Sequence, residues 1–212
     1  GLLRISSGAM TEATKSDLTR KRILDAGRDL VLRHGFSGVG LSRILAQSGV
    51  PKGSFYYYFA SKEAFGAALL EDYVAGYLDR FDALIASPGT AGARLGRFWD
   101  AWLAQSGHAG IAGGCLVVKL GAEIADLSEP MRQTLDRGID ALVGRIALLL
   151  REGAADGSVK RFDDAETTAR MLYANWLGAA VLAKLAQGDA PLRMAHAETS
   201  AQLAPDGADT PE

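Results

Sequence analysis

The spacing of apolar residues along this chain predicts helices. In the first predicted helix, apolar or small residues recur at intervals of three and four, which is the period of a helix with one buried face: Ile23, Ala26, Gly27 and Leu30. Ser16 is positioned to cap this helix near Asp17, and Gly35 to end it. No alternating pattern is long enough to predict a sheet.

Two short helices are predicted next. Leu41, Ile44 and Leu45 mark the apolar face of the second helix, which Ser48 and Gly49 interrupt. The third begins at Pro51, a residue suited to a first helical turn.

The rest of the chain is predicted to hold a long helix over about 61–85, capped by Ser61, and five further helices. Turn residues separate the five, which lie over about 90–106, 115–126, 128–153, 163–187 and 190–203. Asp163 with Glu166 three positions later resembles a capping box at the start of the fourth of these. The fold class is therefore all-α, with about nine helices.

Ser87, Pro88 and Gly89 end the long helix and mark a candidate seam between an N-terminal module and a larger body. We predict an N-terminal three-helix domain over 15–61 and a larger helical body over 62–204. Residues 1–14 and 205–212 lack helical periodicity, and we expect them to be disordered.

Composition is ordinary for a globular protein, with 48% hydrophobic and 23% charged residues among 212. No run of apolar residues is long enough to predict a membrane span, so we expect no membrane partner. The single cysteine cannot form an internal disulfide, which favours a reducing cytoplasm as the location.

Charge is distributed unevenly. Residues 15–62 contain nine Lys or Arg and three Asp, which gives +6, whereas the remainder carries −8. A basic N-terminal quarter on an acidic body indicates contact with a polyanion. The alternative, a solvated charged helix surface, is about equally compatible with the charge count alone.

Residues 51–65 have the sequence PKGSFYYYFASKEAF, in which three tyrosines are consecutive. Tyrosine, serine and lysine side chains can all donate hydrogen bonds to phosphate oxygens. Two short helices joined at a glycine and braced by a third form a helix-turn-helix unit, whose second helix enters the major groove. Phe55 and Phe59, four residues apart, are expected to anchor this helix to its module.

Within that unit, the first residues of the third helix are the candidate base contacts, and hydroxyl and ammonium groups around it are the candidate phosphate contacts. Lys52 can donate to guanine, Gly53 allows close approach of the backbone, and Ser54 can contact several bases. The full set of predicted DNA contacts is Ser42, Lys52, Gly53, Ser54, Tyr56, Tyr57, Tyr58 and Lys62.

The run GVGLSRILAQSGVPKGSFYYYFASKEAF resembles the signature of TetR-family transcriptional repressors. The resemblance covers about residues 20–65, and Tyr58 stands where the family often has histidine. It implies a homodimer whose N-terminal helices bind a near-palindromic double-stranded DNA operator, with a small-molecule effector in the body releasing the DNA.

The body contains aromatic residues that suit an apolar ligand site, or that simply pack in the core: Phe98, Trp99, Trp102, Tyr173 and Trp176. The stretch 174–186 is rich in small residues that let helices approach closely: Gly178, Ala179, Ala180 and Ala183. By the resemblance this stretch forms the dimer contact, and a contact within one chain is the alternative.

Cys115 follows two glycines at a predicted helix start, where the helix dipole would lower the pKa of its thiol. The phrase GGCL followed by LGxE resembles a TetR branch that responds to electrophiles or small unsaturated acids. That resemblance implies a sensor cysteine, sometimes with a lysine of the penultimate helix, for which Lys184 is the candidate. A buried, inert cysteine is the alternative.

Other functions have weaker support. Cys115 and His108 could form a nucleophile and base, but no third group orients them as a cysteine-dependent enzyme would require. Three histidines have no metal-ligand spacing, and we predict no metal site and no cofactor. A helix-turn-helix protein that binds DNA without any ligand is the other alternative, although the body exceeds what dimerisation requires.

Overall fold

The computed structural model describes residues 14–104 and 115–205, and within those ranges the chain forms nine helices and no strands. The all-α prediction is confirmed. None of the described helices is both long and apolar enough to cross a bilayer. The helices are α1 (Lys15–His34), α2 (Leu41–Ser48), α3 (Lys52–Tyr58), α4 (Lys62–Ile85), α5 (Ala91–Ala104), α6 (Leu116–Leu127), α7 (Glu129–Asp156), α8 (Ala165–Ala186) and α9 (Ala190–Leu203).

The start of α1 differs from the prediction by two residues. Thr14, not Ser16, is the N-cap, and Thr14 Oγ1 accepts the N–H of Asp17 at 3.1 Å. The Asp17 carboxylate in return accepts the N–H of Thr14 at 3.0 Å, which completes a capping box. The reciprocal pair satisfies two backbone donors, whereas a cap at Ser16 would leave Asp17 without this role.

The start of α8 also differs from the prediction, because Asp164 rather than Asp163 is its cap. One carboxylate oxygen of Asp164 accepts the N–H groups of both Glu166 and Thr167 at 3.0 Å. The predicted cap of α4 is confirmed, since the Ser61 side chain accepts the N–H of Ala64 at 3.0 Å.

Helices α1 to α3 and the first half of α4 share a set of buried apolar side chains, which we call the N-terminal cluster and which includes Ile23, Leu30, Ile44, Phe55 and Phe65. Gly49 ends α2 in the left-handed conformation (φ +66°), which allows the sharp turn into α3. Phe65 of α4 is fully buried, against Phe55 of α3 and Phe59, the residue that ends α3. Gly27 of α1 lets the Phe65 ring approach the α1 backbone closely.

A second buried set, the body cluster, lies between α5, α7, α8 and the start of α9. The 28-residue α7 runs through the body and packs on α4, α5, α6 and α8. Large aromatic side chains from α5 and α8 fill the centre of this cluster.

Helix α6 joins the two clusters. Cys115, immediately before it, belongs to the body cluster, whereas the buried face of α6 itself belongs to the N-terminal cluster: Leu116, Leu120 and Ile124. Helix α4 is shared as well, with Tyr73 in the N-terminal cluster and Phe81 in the body cluster. The domain boundary placed between residues 61 and 62 stays a prediction.

Gly27→Ala should destabilise the protein by about 1–3 kcal/mol, because the new Cβ would lie 2.2 Å from Cζ of the buried Phe65 ring and the core must shift. Chemical denaturation measures the loss. Gly144→Ala is the matched control, since a Cβ there meets nothing within 4 Å and helix propensity favours alanine. Equal stability of the two variants would contradict the close packing of Phe65 on α1.

Candidate functional site

Helix α3 has one buried and one exposed side. Phe55 and Phe59 are buried, as predicted, and hold the helix on its module. The exposed side carries Tyr57, which is 78% accessible, and Tyr56, which is 53% accessible. Large aromatic side chains so accessible to solvent are not serving the core, which leaves them available to a partner.

The first turn of α3 is also open. Lys52 and Gly53 are exposed and Ser54 is half-buried, while a Cβ placed on Gly53 would meet nothing within 4 Å. Ser42, in the first turn of α2, is exposed as well, with Arg43 beside it. The structure therefore leaves these predicted contact residues accessible.

Two of the predicted contacts are already engaged within the chain. The Tyr58 hydroxyl accepts a hydrogen bond from Ser16 Oγ at 3.4 Å. Lys62 Nζ donates to the carbonyl oxygen of Phe36 at 3.2 Å and lies 4.9 Å from the centre of the Phe36 ring. An ammonium group has three donors, so this bond leaves Lys62 able to hold a further acceptor.

Three of the aromatic candidates in the body form a packed stack instead of lining an open pocket together. Trp99 and Trp176 stack with ring centres 4.8 Å apart and planes 14° apart, and Trp102 meets Trp176 edge-on at 6.0 Å. Trp176 Nε1 donates to Thr199 Oγ1 at 2.9 Å, so this indole is satisfied as a core group. Trp99 also lines a separate cavity between α5 and α9.

Tyr173 is the candidate that lines a cleft between α4, α6, α7 and α8. The cleft is narrow, with a free volume of about 20 Å³, and its walls are largely apolar. Its lining includes Tyr73, Tyr77, Val117, Leu135, Ile139 and Tyr173. Tyr77 is held by Trp102, whose Nε1 donates to the Tyr77 hydroxyl at 3.1 Å.

Cys115, the N-cap of α6, is 1% accessible and lies close to three tyrosines of the cleft wall: Tyr73, Tyr77 and Tyr173. The expectation that the helix start would give a lowered pKa is wrong. Burial raises the pKa of the Cys115 thiol, and this outweighs backbone hydrogen bonds at Val118 and Val117 and one from Tyr73, which favour the thiolate. The ground state of Cys115 at neutral pH is therefore the protonated thiol.

Lys184 acts on Cys115 from α8, since its positive charge favours the thiolate. Partial desolvation, together with the like charge of Lys119, lowers the pKa of Lys184 itself. The structure thus brings the cysteine and the predicted lysine into one electrostatic neighbourhood. His108, the proposed enzymatic base, lies outside the described residues.

The small residues of α8 are divided between two surfaces. Ala179 and Ala180 are buried within the chain, whereas Gly178 faces solvent. An exposed apolar surface, which we call the α8–α9 face, continues from Gly178 along both helices: Met171, Gly178, Leu182 and Met194. Contact within the chain therefore accounts for Ala179 and Ala180, and the dimer contact stays a prediction for the exposed part of α8.

Sequence reasoning missed Tyr73, Tyr77 and Glu123 as functional candidates. Tyr73 and Tyr77 are four residues apart on α4, a spacing that signals a shared face but not the cleft beside it. Glu123 reaches the loop between α1 and α2, and no local pattern predicts a contact across 86 positions.

Comparison with known proteins adds independent findings. Residues 23–69 match the family model described as bacterial regulatory proteins, tetR family, and residues 91–199 match the tetracyclin repressor-like C-terminal domain. The transcriptional repressor NemR of Escherichia coli strain K12 is 40% identical over 189 residues, covering 89% of this chain and 94% of that protein. The transcriptional regulator AcuR of Cereibacter sphaeroides is 34% identical over 183 residues, covering 85% and 83%.

The fold agrees with these matches. The crystal structure of the reduced form of E. coli NemR superposes with a TM-score of 0.84, covering 89% of this chain and 98% of that one. These relatives are transcriptional regulators, and the enzyme alternative is set aside. The helix-turn-helix signature, the helical body and both family models agree that the chain belongs to the TetR family of transcriptional repressors.

Proposed function

We propose that this protein represses transcription in the cytoplasm by binding a near-palindromic operator as a homodimer, and that a small molecule in the body releases it. The observation that carries the proposal is the exposed side of α3, where Lys52, Tyr56 and Tyr57 project from a helix anchored by buried phenylalanines. Proteins of this family bind DNA operators, respond to small molecules and act as dimers.

In this proposal, one group of the exposed residues contacts the bases and the other contacts the phosphate backbone. Lys52, Gly53 and Ser54 lie in the first turn of α3, the part of a recognition helix that reaches base edges. Ser42, Tyr56, Tyr57, Tyr58 and Lys62 hold the phosphate backbone on either side. The net charge of +6 over residues 15–62 supports the approach to DNA.

Lys62→Ala should weaken binding to every DNA sequence and lower the slope of log affinity against log salt by about 1, because one phosphate contact is lost. Lys52→Ala should in addition reduce the preference for the operator over random DNA, by a factor that corresponds to about 1–3 kcal/mol. Fluorescence anisotropy with a palindromic fragment from upstream of the protein's own gene measures both. If Lys52→Ala weakens operator and random DNA equally, its role in base contact is wrong.

The α8–α9 face supports the dimer. The groove along it has a volume of about 710 Å³ and is lined mostly by apolar or small residues, among them Met171, Gly178, Leu182 and Met194. Met171, Leu182 and Met194 are each more than half exposed, and a second copy of the same face would cover them symmetrically.

Leu182→Glu should convert the protein to monomers, because a symmetric interface would bury two new carboxylates without partners. Analytical ultracentrifugation gives the molecular mass. Leu148→Glu is the matched control, since Leu148 is 51% exposed on α7 and Leu182 is 56% exposed on α8. A Leu182→Glu protein that remains dimeric would place the interface elsewhere.

For the effector, we propose the cleft lined by Tyr73, Tyr77 and Tyr173. It combines apolar walls with hydroxyl groups, which is the composition of most small-molecule sites, and it borders the helix shared by the two clusters. The small volume of the cleft implies that a ligand must widen the cleft to enter it.

A thermal-shift screen of small acids, aldehydes and aromatic compounds, followed by operator release, tests the proposal. If no compound raises the melting temperature or releases the operator, the ligand-independent alternative is favoured.

The Cys115 thiol is a second candidate for the sensing group. Its closeness to the tyrosines that line the cleft and the positive charge of Lys184 favour reaction with an electrophile that has entered the cleft. The protonated ground state means that reaction requires deprotonation first.

Alkylation of Cys115 by N-ethylmaleimide should be slow at pH 7 and should continue to accelerate above about pH 8.5, where an ordinary cysteine thiol levels off, because burial raises the pKa of the Cys115 thiol. Mass spectrometry follows the reaction, with urea-unfolded protein as the control for access. The alkylated protein should release operator DNA, and Cys115→Ser protein treated in the same way should not. A Cys115→Ser protein that still responds to every effector of the wild type would rule out sensing by this thiol.

A further inference from the structure

Glu123, near the end of α6, is hydrogen bonded to the loop between α1 and α2. Its Oε1 accepts the N–H of Ser37 at 2.7 Å, and its Oε2 accepts the N–H of Phe36 at 3.1 Å. One carboxylate thus holds two successive backbone donors of the loop that leads into the helix-turn-helix unit. Hydrogen bonds to an ionised acceptor are the stronger kind.

The same loop is held on its other side by α4. The Phe36 carbonyl oxygen accepts from Lys62 Nζ at 3.2 Å, and the Phe36 side chain is buried in the N-terminal cluster. Gly35 adopts φ +75°, and a Cβ there would lie 3.0 Å from Glu123 Oε2. The loop backbone is therefore shaped to receive this carboxylate.

Glu123 is ionised at neutral pH. Partial burial by itself would raise its pKa, but hydrogen bonds from Ser37 and Phe36 and the nearby charge of Lys62 together lower the pKa of the Glu123 carboxyl below its ordinary value. The contact therefore persists as a charge-assisted one across the physiological range.

Helix α6 connects this contact to the effector region. Cys115 precedes the helix and lies in the body cluster, while Leu116 begins its face in the N-terminal cluster. The Leu116 N–H donates to the Tyr73 hydroxyl at 3.2 Å, and Tyr73 lines the cleft. The helix has 12 residues, a length of about 18 Å, so displacement of one end moves the other.

We propose that Glu123 is the positioning residue that couples the effector cleft to the helix-turn-helix unit. When an occupant of the cleft displaces the start of α6, Glu123 carries the displacement to residues 36–37 and so changes the orientation of α2 and α3. The inference rests on the function proposed above, because it assigns a route for effector release, and it names a contact that the proposed DNA and effector sites do not include.

The test combines a change at each end of α6. Cys115→Trp, or a maleimide adduct on Cys115, places bulk at the start of the helix. Glu123→Gln removes the charge and one acceptor at the end. Asp126→Asn is the matched control, since it removes a carboxylate from the same helix at an exposed position. The adduct replaces Cys115→Trp if that variant does not fold.

Hydrogen–deuterium exchange at Phe36 and Ser37 reports on the contact without operator or effector. Glu123→Gln should speed exchange there by about tenfold and Asp126→Asn should not. In the Asp126→Asn protein, bulk at Cys115 should speed exchange at Phe36 and Ser37 and should weaken operator binding by about tenfold. In the Glu123→Gln protein, the same bulk should change operator binding by less than about threefold, because the contact that transmits the displacement is already broken.

Two results would overturn the inference. One is unchanged exchange at Phe36 and Ser37 in the Glu123→Gln protein. The other is an equal effect of bulk at Cys115 on operator binding with and without Glu123, including no effect in either. Failure of the proposed function looks different, since the exchange result would stand while no small molecule released the operator.

Discussion

Burial of one face of α6 in the N-terminal cluster is the constraint on which the rest of this structure depends. Leu116, Leu120 and Ile124 belong to the same buried cluster as Phe55, which anchors α3, although the residue just before them belongs to the other cluster. Because buried side chains are close-packed, neither cluster can rearrange around α6 without affecting its neighbour. A regulator needs this kind of link, and here it is made by apolar contact reinforced at one end by a carboxylate.

The local features of the sequence predicted much of the fold. Helical periodicity and turn residues located the helices, and the spacing of Phe55 and Phe59 predicted which side of α3 is buried. The errors at helix starts occurred where two candidate caps are near each other, as with Thr14 and Ser16. The sequence alone cannot show which of the two hydroxyl groups caps the helix, because the choice depends on which backbone N–H group the folded chain presents to it.

The candidate sites were less predictable, for a physical reason. The sequence correctly predicted that Cys115 lies at a helix start. The pKa of its thiol, however, is set by burial among neighbours from other helices, which the local sequence does not show. The tryptophans were recognised as a group, yet whether such residues line a cavity or stack on one another depends on how α5 and α8 approach. Contacts across many positions, such as Glu123 with Ser37, have no local signature.

All three tryptophans of the chain lie in the body, where Trp176 contacts both Trp99 and Trp102, and the N-terminal module has none. The tryptophan emission of this protein is therefore a signal from the body alone. Trp102 is hydrogen bonded to Tyr77, which lines the cleft, and Trp176 stacks on Trp99. Only one side chain therefore separates the emitting Trp102 ring from the cleft. Ligand entry can thus be followed by the tryptophan emission of the unlabelled protein, while DNA binding is followed separately by a label on the DNA.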